Sequence, residues 1–179
     1  KGEFPAERYG GRFGGRTIRD RLFFFLNGER SDRAEDDDYT SDNFRNPQDV
    51  ATVRDFLMDQ FGYDPGTLGS IARTKYSKNL FGRLDWNVNS SNQFTVRHSF
   101  VDAANDVISD RSSSRFRFPN ATYFFADETN STVAQLNSTL GSSSFNEARV
   151  NFTTIRDRRA SPGAFPGIEI GGTGPRKAD

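Results

Sequence analysis

The sequence predicts an all-β protein of about six antiparallel strands, with one short helix in a loop. Segments that alternate apolar and polar residues come in pairs, and a short polar turn joins the two members of each pair. Long polar loops separate one pair from the next. The chain has 18 phenylalanines and 16 glycines but one methionine and one tryptophan, a composition that suits strands and turns better than helical bundles.

The pairs are predicted to be three β-hairpins with all their turns at one end of a sheet. Their strands are residues 9–17 with 21–30, 75–88 with 94–102, and 131–140 with 146–156. Outer-membrane β-barrels have this asymmetry, because their periplasmic turns are short and their extracellular loops are long. The sequence therefore favours a partial antiparallel transmembrane β-barrel with short turns on one side and long loops on the other.

The alternation within the strands assigns an apolar face and a polar face. Successive side chains of a strand point to opposite faces. We expect the apolar residues of the second and third hairpins to face lipid: Leu80, Leu84, Trp86, Val150 and Phe152. A soluble sheet with one face on a core predicts the same alternation. The alternative is therefore a soluble extracellular β-sandwich binding module, for example one that binds carbohydrate.

Aromatic residues near the predicted turns favour the membrane interpretation. The phenylalanine run 23–25 follows the first turn, Trp86 and Phe94 flank the second, and Phe145 lies at the third. Transmembrane barrels carry aromatic girdles at the membrane interfaces. Aromatic residues also pack well in any β-sheet, so the soluble alternative accommodates them too.

Composition excludes several classes of protein. No run of about 18 consecutive apolar residues occurs, so a transmembrane helix is excluded. The 24 basic and 24 acidic residues balance, which argues against a dedicated nucleic-acid-binding protein. There is no cysteine, and so neither a disulfide nor a thiolate metal site can form. The amino end lacks the basic and apolar regions of a signal peptide, so we expect a processed chain or a fragment.

The first long loop contains a predicted helix. Asn46 is a suitable N-cap, Pro47 a suitable first helical residue and Gly62 a suitable stop. Apolar residues recur between them at helical spacing: Val50, Val53, Leu57 and Phe61. We expect this stripe to pack on the loop or the barrel rim. The proline- and glycine-rich tail, residues 161–179, is predicted to be irregular loop without a strand.

No enzyme active site, cofactor or metal site is predicted. His98 is the only histidine, and it shares a strand face with Phe94, Val96 and Phe100, where we expect a structural or interface role rather than that of a catalytic base. Nucleophile-elbow, zinc-protease and phosphate-loop motifs do not occur. The acidic run 35–38 lacks the spacing and glycine of a calcium-binding EF-hand, and we expect a solvated acidic loop there.

Three stretches of the sequence resemble a family of outer-membrane proteins. Residues 9–25, YGGRFGGRTIRDRLFFF, resemble the glycine-rich strand, tight turn and Asp-Lys-Leu-Phe-Phe-Phe strand of TonB-dependent outer-membrane transporters, particularly the Oar-like group. Residues 80–87 with 94–98 resemble a later hairpin of that group, and residues 146–149 a further strand start. Arg16 departs from the pattern, because the family commonly has a proline after the glycine pair.

The resemblance implies that residues 1–179 are a fragment of a barrel domain of about 22 strands, without the plug domain that the family folds inside the lumen. It implies a location in the outer membrane of a Gram-negative bacterium, with outer-membrane lipid as one partner. The TonB complex would be a second partner, contacted through an upstream region and supplying the energy for transport. Relatives transport peptides, glycans or iron chelates and perform no chemistry on them.

The resemblance also implies positions for particular residues. The loops around residues 31–73, 103–130 and 157–179 would face outside the cell. The polar face would point to the lumen or the plug, and it would include Asn27, Glu29, Arg83, Asp85, Arg97, Arg149 and Asn151.

Overall fold

The computed structural model describes residues 5–37, 39–107, 111–161 and 165–172. Six of its strands are long: β1 (Ala6–Ile18), β2 (Leu22–Asp37), β3 (Ile71–Asn89), β4 (Asn92–Val107), β6 (Tyr123–Leu140) and β7 (Ser144–Ala160). They form one open antiparallel sheet in the order β1-β2-β3-β4-β6-β7. Two short strands, β5 (Arg115–Arg117) and β8 (Glu169–Gly171), pair with each other. One α-helix, α1 (Pro47–Phe61), lies between β2 and β3. The all-β prediction is confirmed at this level.

The three predicted hairpins are present, and their strands are longer than predicted. The longest extensions, most of whose residues were expected to lie in loops, are 31–37, 71–74, 103–107, 123–130 and 157–160. These extensions lack a clean apolar alternation, so no periodic pattern indicated them. Polar contacts between strands support them instead. The Thr74 backbone N–H donates to Asp106 at 2.9 Å, and the Thr74 hydroxyl donates to the same carboxylate at 2.5 Å.

Turns of two or three residues join β1 to β2, β3 to β4 and β6 to β7. Asp20 in the first turn (φ 57°) and Gly141 in the third (φ 68°) have left-handed backbone. Aspartate tolerates this conformation better than most residues, and glycine adopts it freely. Because successive strands are antiparallel, all three turns lie at one end of the sheet and the long connections lie at the other.

The predicted loop helix is confirmed as α1. Pro47 is its first residue, and Gly62 ends it in a left-handed conformation (φ 62°). The members of the predicted stripe that are buried or partly buried are Val50, Val53 and Leu57. Phe61 is the exception, since it is exposed on the last turn.

The hydrophobic core lies in the long loops and not in the sheet. The described segments 39–70, 111–122 and 165–172 pack together, and we call them the loop unit. Its core consists of Phe44, Val50, Phe116 and Phe118, with Val53, Leu68, Ile168 and Ile170 packed against it. Among the described residues of the six long strands, only Ala104, Ala126 and Ser138 are buried. The sheet therefore has no comparable core in the described part of the chain.

The tail contains a strand that the sequence analysis did not predict. β8 places Ile170 opposite Phe116 of β5, and Arg117 forms an ion pair with Glu169 at 2.5 Å. The expectation of a strandless tail is therefore wrong for residues 169–171. A strand of three residues is too short for alternation to reveal it, and its partner lies in a different loop.

A buried arginine joins two segments of the loop unit, 39–70 and 111–122. The Arg111 guanidinium donates to the backbone carbonyls of Arg117 (2.8 Å), Tyr39 (3.0 Å) and Gly69 (2.7 Å). It also lies over the Phe116 ring, 4.3 Å from the centroid. A buried charge is costly unless its donors find acceptors, so these contacts hold both ends of segment 39–70 against segment 111–122.

We predict that Phe116→Ala opens the loop unit and leaves the sheet intact. The ring contacts Phe44 and Phe118, and truncating a buried phenylalanine costs about 3–5 kcal/mol. Hydrogen exchange should accelerate at the amides of α1 and stay slow in β3 and β4. Phe56→Ala removes an exposed ring and is the control. Equal exchange of α1 in the two variants would contradict the prediction.

Candidate functional surfaces of the sheet

The register separates apolar from polar side chains across the sheet. Leu84 lies opposite Phe24 of β2 and Val96 of β4. Its neighbour Arg83, which points to the other side, lies opposite Arg97. Residues directly opposite each other project to the same face. We call the side of Leu84 the apolar face and the side of Arg83 the polar face.

All seven residues assigned to a lumen or plug by the sequence analysis lie on the polar face: Asn27, Glu29, Arg83, Asp85, Arg97, Arg149 and Asn151. The structure brings Arg83, Asp85 and Arg97 together on β3 and β4. Arg149 and Asn151 lie on β7, with β6 between them and β4. The seven residues thus form separate groups along the face and not one site.

Ion pairs and hydrogen bonds organise the polar face. Arg83 donates two hydrogen bonds to the Asp85 carboxylate, both 2.8 Å long. Thr95 Oγ1 of β4 donates a third at 2.8 Å. On the β1 side of the sheet, Arg8 donates to Glu29 at 2.8 Å. A carboxylate that accepts several such bonds is well satisfied without a bound metal or ligand.

Some of these contacts could be predicted from the sequence and others could not. Arg83 and Asp85 are two residues apart on one strand, as are Glu147 and Arg149, which are joined by a 2.8 Å hydrogen bond. Opposite charges at this spacing share a face and could be predicted as pairs. Thr95 could not, because its contact depends on the register between strands.

The polar face also carries aromatic rings. Phe23 and Phe25 lie on it, opposite Asp85 and Arg83, and the Phe25 ring centroid is 6.2 Å from that of Phe81. In the run 23–25, only Phe24 lies on the apolar face. Only one ring of the run is therefore available to an aromatic girdle on the apolar face, because successive strand residues alternate between faces.

A continuous apolar band occupies the turn-proximal part of the apolar face. Its apolar side chains are Phe13, Ile18, Leu22, Phe24, Leu26, Leu80, Leu84, Trp86, Phe94, Val96, Phe100, Ala134, Leu136, Ala148, Val150 and Phe152. The five residues expected to face lipid all belong to it. Leu80, Leu84, Trp86, Val150 and Phe152 are 56, 42, 45, 70 and 70 % exposed.

The apolar band ends at a row of charged side chains. Register pairs link Arg30, Lys78, Asp102, Glu128 and Arg156 across five neighbouring long strands, and we call them the charged row. Tyr9 of β1 lies at the same level. Within it Lys78 pairs with Asp102 at 3.2 Å and Arg156 with Glu128 at 3.8 Å. No local pattern in the sequence indicates this alignment, because it depends on every register in the sheet.

His98 lies within the apolar band, opposite Thr132 of β6. Its Nδ1 is 2.8 Å from Thr132 Oγ1. The contact gives the two polar groups a hydrogen-bond partner on an otherwise apolar surface, which agrees with the expected structural or interface role.

The loop unit carries an exposed aromatic cluster at the end of α1. The Tyr63 and Phe165 rings stack with centroids 4.0 Å apart, and Phe61 adjoins Phe165 at 6.2 Å and Phe56 at 5.9 Å. Phe56 and Phe61 are exposed. Next to this cluster, Asp64 accepts a hydrogen bond from the Gly66 backbone N–H at 3.0 Å and one from Arg54 at 3.4 Å.

The acidic run does not form the expected loop. Glu35 and Asp36 lie in β2 opposite Arg73 and Ala72, and Glu35 forms an ion pair with Arg33. Asp38 lies outside the described residues.

Within the described ranges, no group of three His, Cys, Asp or Glu side chains is placed to hold a metal ion. No helix in the described part of the chain is long and apolar enough to cross a membrane.

Comparison with known proteins gives no match: no family model fits the chain, and no curated protein and no solved structure is significantly similar to it.

We predict that the pKa of Asp64 lies below its ordinary value of 3.8, chiefly because of the Gly66 N–H and secondarily because of Arg54. The ionised carboxylate then stabilises the turn above pH 3.8, and this contribution is lost as the pH falls through the lowered pKa. A carboxyl NMR titration should show part of the lowering retained in Arg54→Met, because the Gly66 N–H still donates to the carboxylate. A pKa at or above 3.8 in the unsubstituted protein would contradict the assignment.

Proposed function

We propose that this chain is a segment of the barrel of a TonB-dependent outer-membrane transporter, with its apolar face in lipid and its polar face toward the lumen. The exposure of the apolar band carries the proposal. Val150 and Phe152, 70 % exposed, are part of a band that crosses six strands. Contiguous apolar surface of this extent on a water-soluble monomer is rare, whereas a lipid bilayer accommodates it without cost.

The height of the band supports the same proposal. On β3 the apolar face runs from Val88, near the turn, to Lys78 in the charged row. These roughly ten residue steps span about 34 Å along an antiparallel strand. At the strand tilt of about 35–45° found in barrels, this length gives a height of about 25 Å, which is that of a lipid-facing band.

The two edges of the sheet support its continuation into further strands. Every residue of β1 is exposed, and so is nearly every residue of β7. No described strand pairs with the outer edge of either. Long free edges promote aggregation in water and do not occur in contact with hydrocarbon. A closed barrel that includes other strands would satisfy both edges.

The polar face suits a lumen that holds water or a plug. Its ion pairs, such as Arg83 with Asp85, need either solvent or polar partners. The loop unit lies at the end of the sheet beyond the charged row and would face outside the cell. There its aromatic cluster would meet the substrate, a peptide, glycan or iron chelate, and TonB would supply energy from the inner membrane.

The soluble β-sandwich alternative requires a second sheet that covers the apolar face. The remaining described strands, β5 and β8, instead belong to the loop unit, where Phe116 and Ile170 join its core. No observation on the described residues favours the sandwich over the barrel segment.

Three adjacent residues of β7 allow a direct test. The chain has no cysteine, so Val150→Cys, Asn151→Cys and Phe152→Cys place single thiols on alternating faces. In the intact protein within its membrane, a fluorophore at residue 150 or 152 should be quenched by brominated lipid. A fluorophore at residue 151 should not be quenched, because its side chain points to the polar face.

Labelling by a charged maleimide supplies the complementary measurement. Residue 151 should react, and residues 150 and 152 should react only after the membrane is dissolved. Equal labelling at all three positions, or absence of lipid quenching at all three, would overturn the membrane proposal and leave the soluble module as the better explanation.

A further inference from the structure

Two arginines of β1 stand on the polar face without a counter-ion. Arg12 lies opposite Asn27 of β2, and Arg16 lies one turn of the pleat pattern further along the same face. Both are exposed, and neither guanidinium forms a hydrogen bond or an ion pair with any described residue. Arg8 on the same face differs, since it donates to Glu29 at 2.8 Å. Because a guanidinium keeps its charge at any physiological pH, this part of β1 carries two uncompensated positive charges.

A groove of about 640 Å³ lies between the two arginines. Gly14 is midway between them on the same face, and Phe25 of β2 lies opposite it. A Cβ atom built on Gly14 would come within 3.1 Å of the Phe25 ring, so the ring leans over the glycine. Phe23, which lies opposite Arg16, supplies a second ring, and both rings are exposed. The groove therefore has an apolar wall with a cation at either end.

The one carboxylate that lines the groove among the described residues belongs to Asp85, and it already has partners. It accepts two hydrogen bonds from Arg83 and one from the Thr95 hydroxyl, all 2.8 Å long. Its charge is therefore compensated by Arg83 and does not neutralise either arginine of β1. The groove keeps a net positive charge, which favours an anionic partner.

The spacing of the two arginines matches the repeat of an extended peptide. Arg16 follows Arg12 by four residues, which is about 14 Å along an antiparallel strand. A peptide that lies extended over β1 presents the side chains of its residues i, i+2 and i+4 to one side with the same spacing. Carboxylates at i and i+4 would meet the two arginines, and an apolar side chain at i+2 would meet the Phe25 ring.

From this juxtaposition we propose that the groove binds an acidic peptide, with two carboxylates four residues apart and an apolar side chain midway between them. Guanidinium groups donate paired hydrogen bonds to carboxylates, and the phenylalanine rings supply the apolar contact. The inference rests on the proposed function and names its substrate, because the polar face would line the lumen and the peptide would pass along it.

Two synthetic peptides test the spacing. Acetyl-Gly-Glu-Ser-Phe-Ser-Glu-Gly-amide carries the proposed pattern. Acetyl-Gly-Glu-Glu-Phe-Ser-Ser-Gly-amide has the same composition, but its adjacent glutamates point to opposite sides of an extended chain. Binding of fluorescently labelled peptides to the intact protein in detergent is measured by fluorescence anisotropy. We expect the spaced peptide to bind about fivefold more tightly, because it alone engages both arginines and one exposed ion pair has an effect of up to that size.

Arginine variants test the site itself. Arg12→Gln and Arg16→Gln should each weaken binding of the spaced peptide about fivefold, because each removes one ion pair. Arg97→Gln is the matched control. It also removes a polar-face arginine that has no partner among the described residues, but from β4, which β2 and β3 separate from β1. Charges are largely screened beyond about 8 Å at physiological salt, so this control should change the affinity by less than about twofold.

Equal affinities of Arg12→Gln and Arg97→Gln, or equal binding of the two peptides, would overturn the site. Tighter binding of tetragalacturonate, an acidic oligosaccharide, than of the spaced peptide would overturn the assignment to a peptide. These results are separable from the test of the proposed function. If residues 150 and 152 are quenched by lipid but neither peptide binds, the membrane location stands and only this inference fails.

Discussion

The register of the hydrogen-bonded strand pairs is the constraint on which the rest of the sheet depends. Side chains alternate with a period of two, so a slip of one residue between two strands would move an entire apolar set to the polar face. The register between Arg16 and Ile18 shifts, and this irregularity brings Ile18 opposite Leu22 in the apolar band. The sheet has no comparable buried core in the described residues that would oppose a slip in register. The separation of apolar from polar side chains therefore depends on the pairing between strands.

The chain distributes hydrophobic burial unevenly between its two parts. The loop unit surrounds Phe116 and the buried Arg111 with partners from three segments. The sheet leaves Val150 and Phe152 exposed. The loop unit can therefore keep its structure in water through its own contacts. An apolar surrounding and neighbouring strands, as in the proposed membrane barrel, would cover the exposed face and the free edges of the sheet.

The charged side chains of the sheet contribute little to the free energy of folding, and their alignment matters more for where the sheet would lie in a bilayer. Exposed ion pairs such as Lys78 with Asp102 contribute roughly 0–1 kcal/mol each. Their alignment into one row, however, puts a charged side chain at the same level on five of the six long strands. In a bilayer, charges are costly in the hydrocarbon and acceptable at the interface, so the row would fix how deeply the sheet lies.

The sequence by itself determined the hairpins, the loop helix and the composition of the two faces, because these follow from local periodicity. Leu84 and Trp86 alternate with Arg83 and Asp85, and Pro47 begins α1. Only the tertiary structure decided the charged row, the pairing of β5 with β8 and the core around Phe116. Each of these joins segments far apart in the chain, and strand register and loop packing, which set such contacts, leave no periodic signal in any one segment.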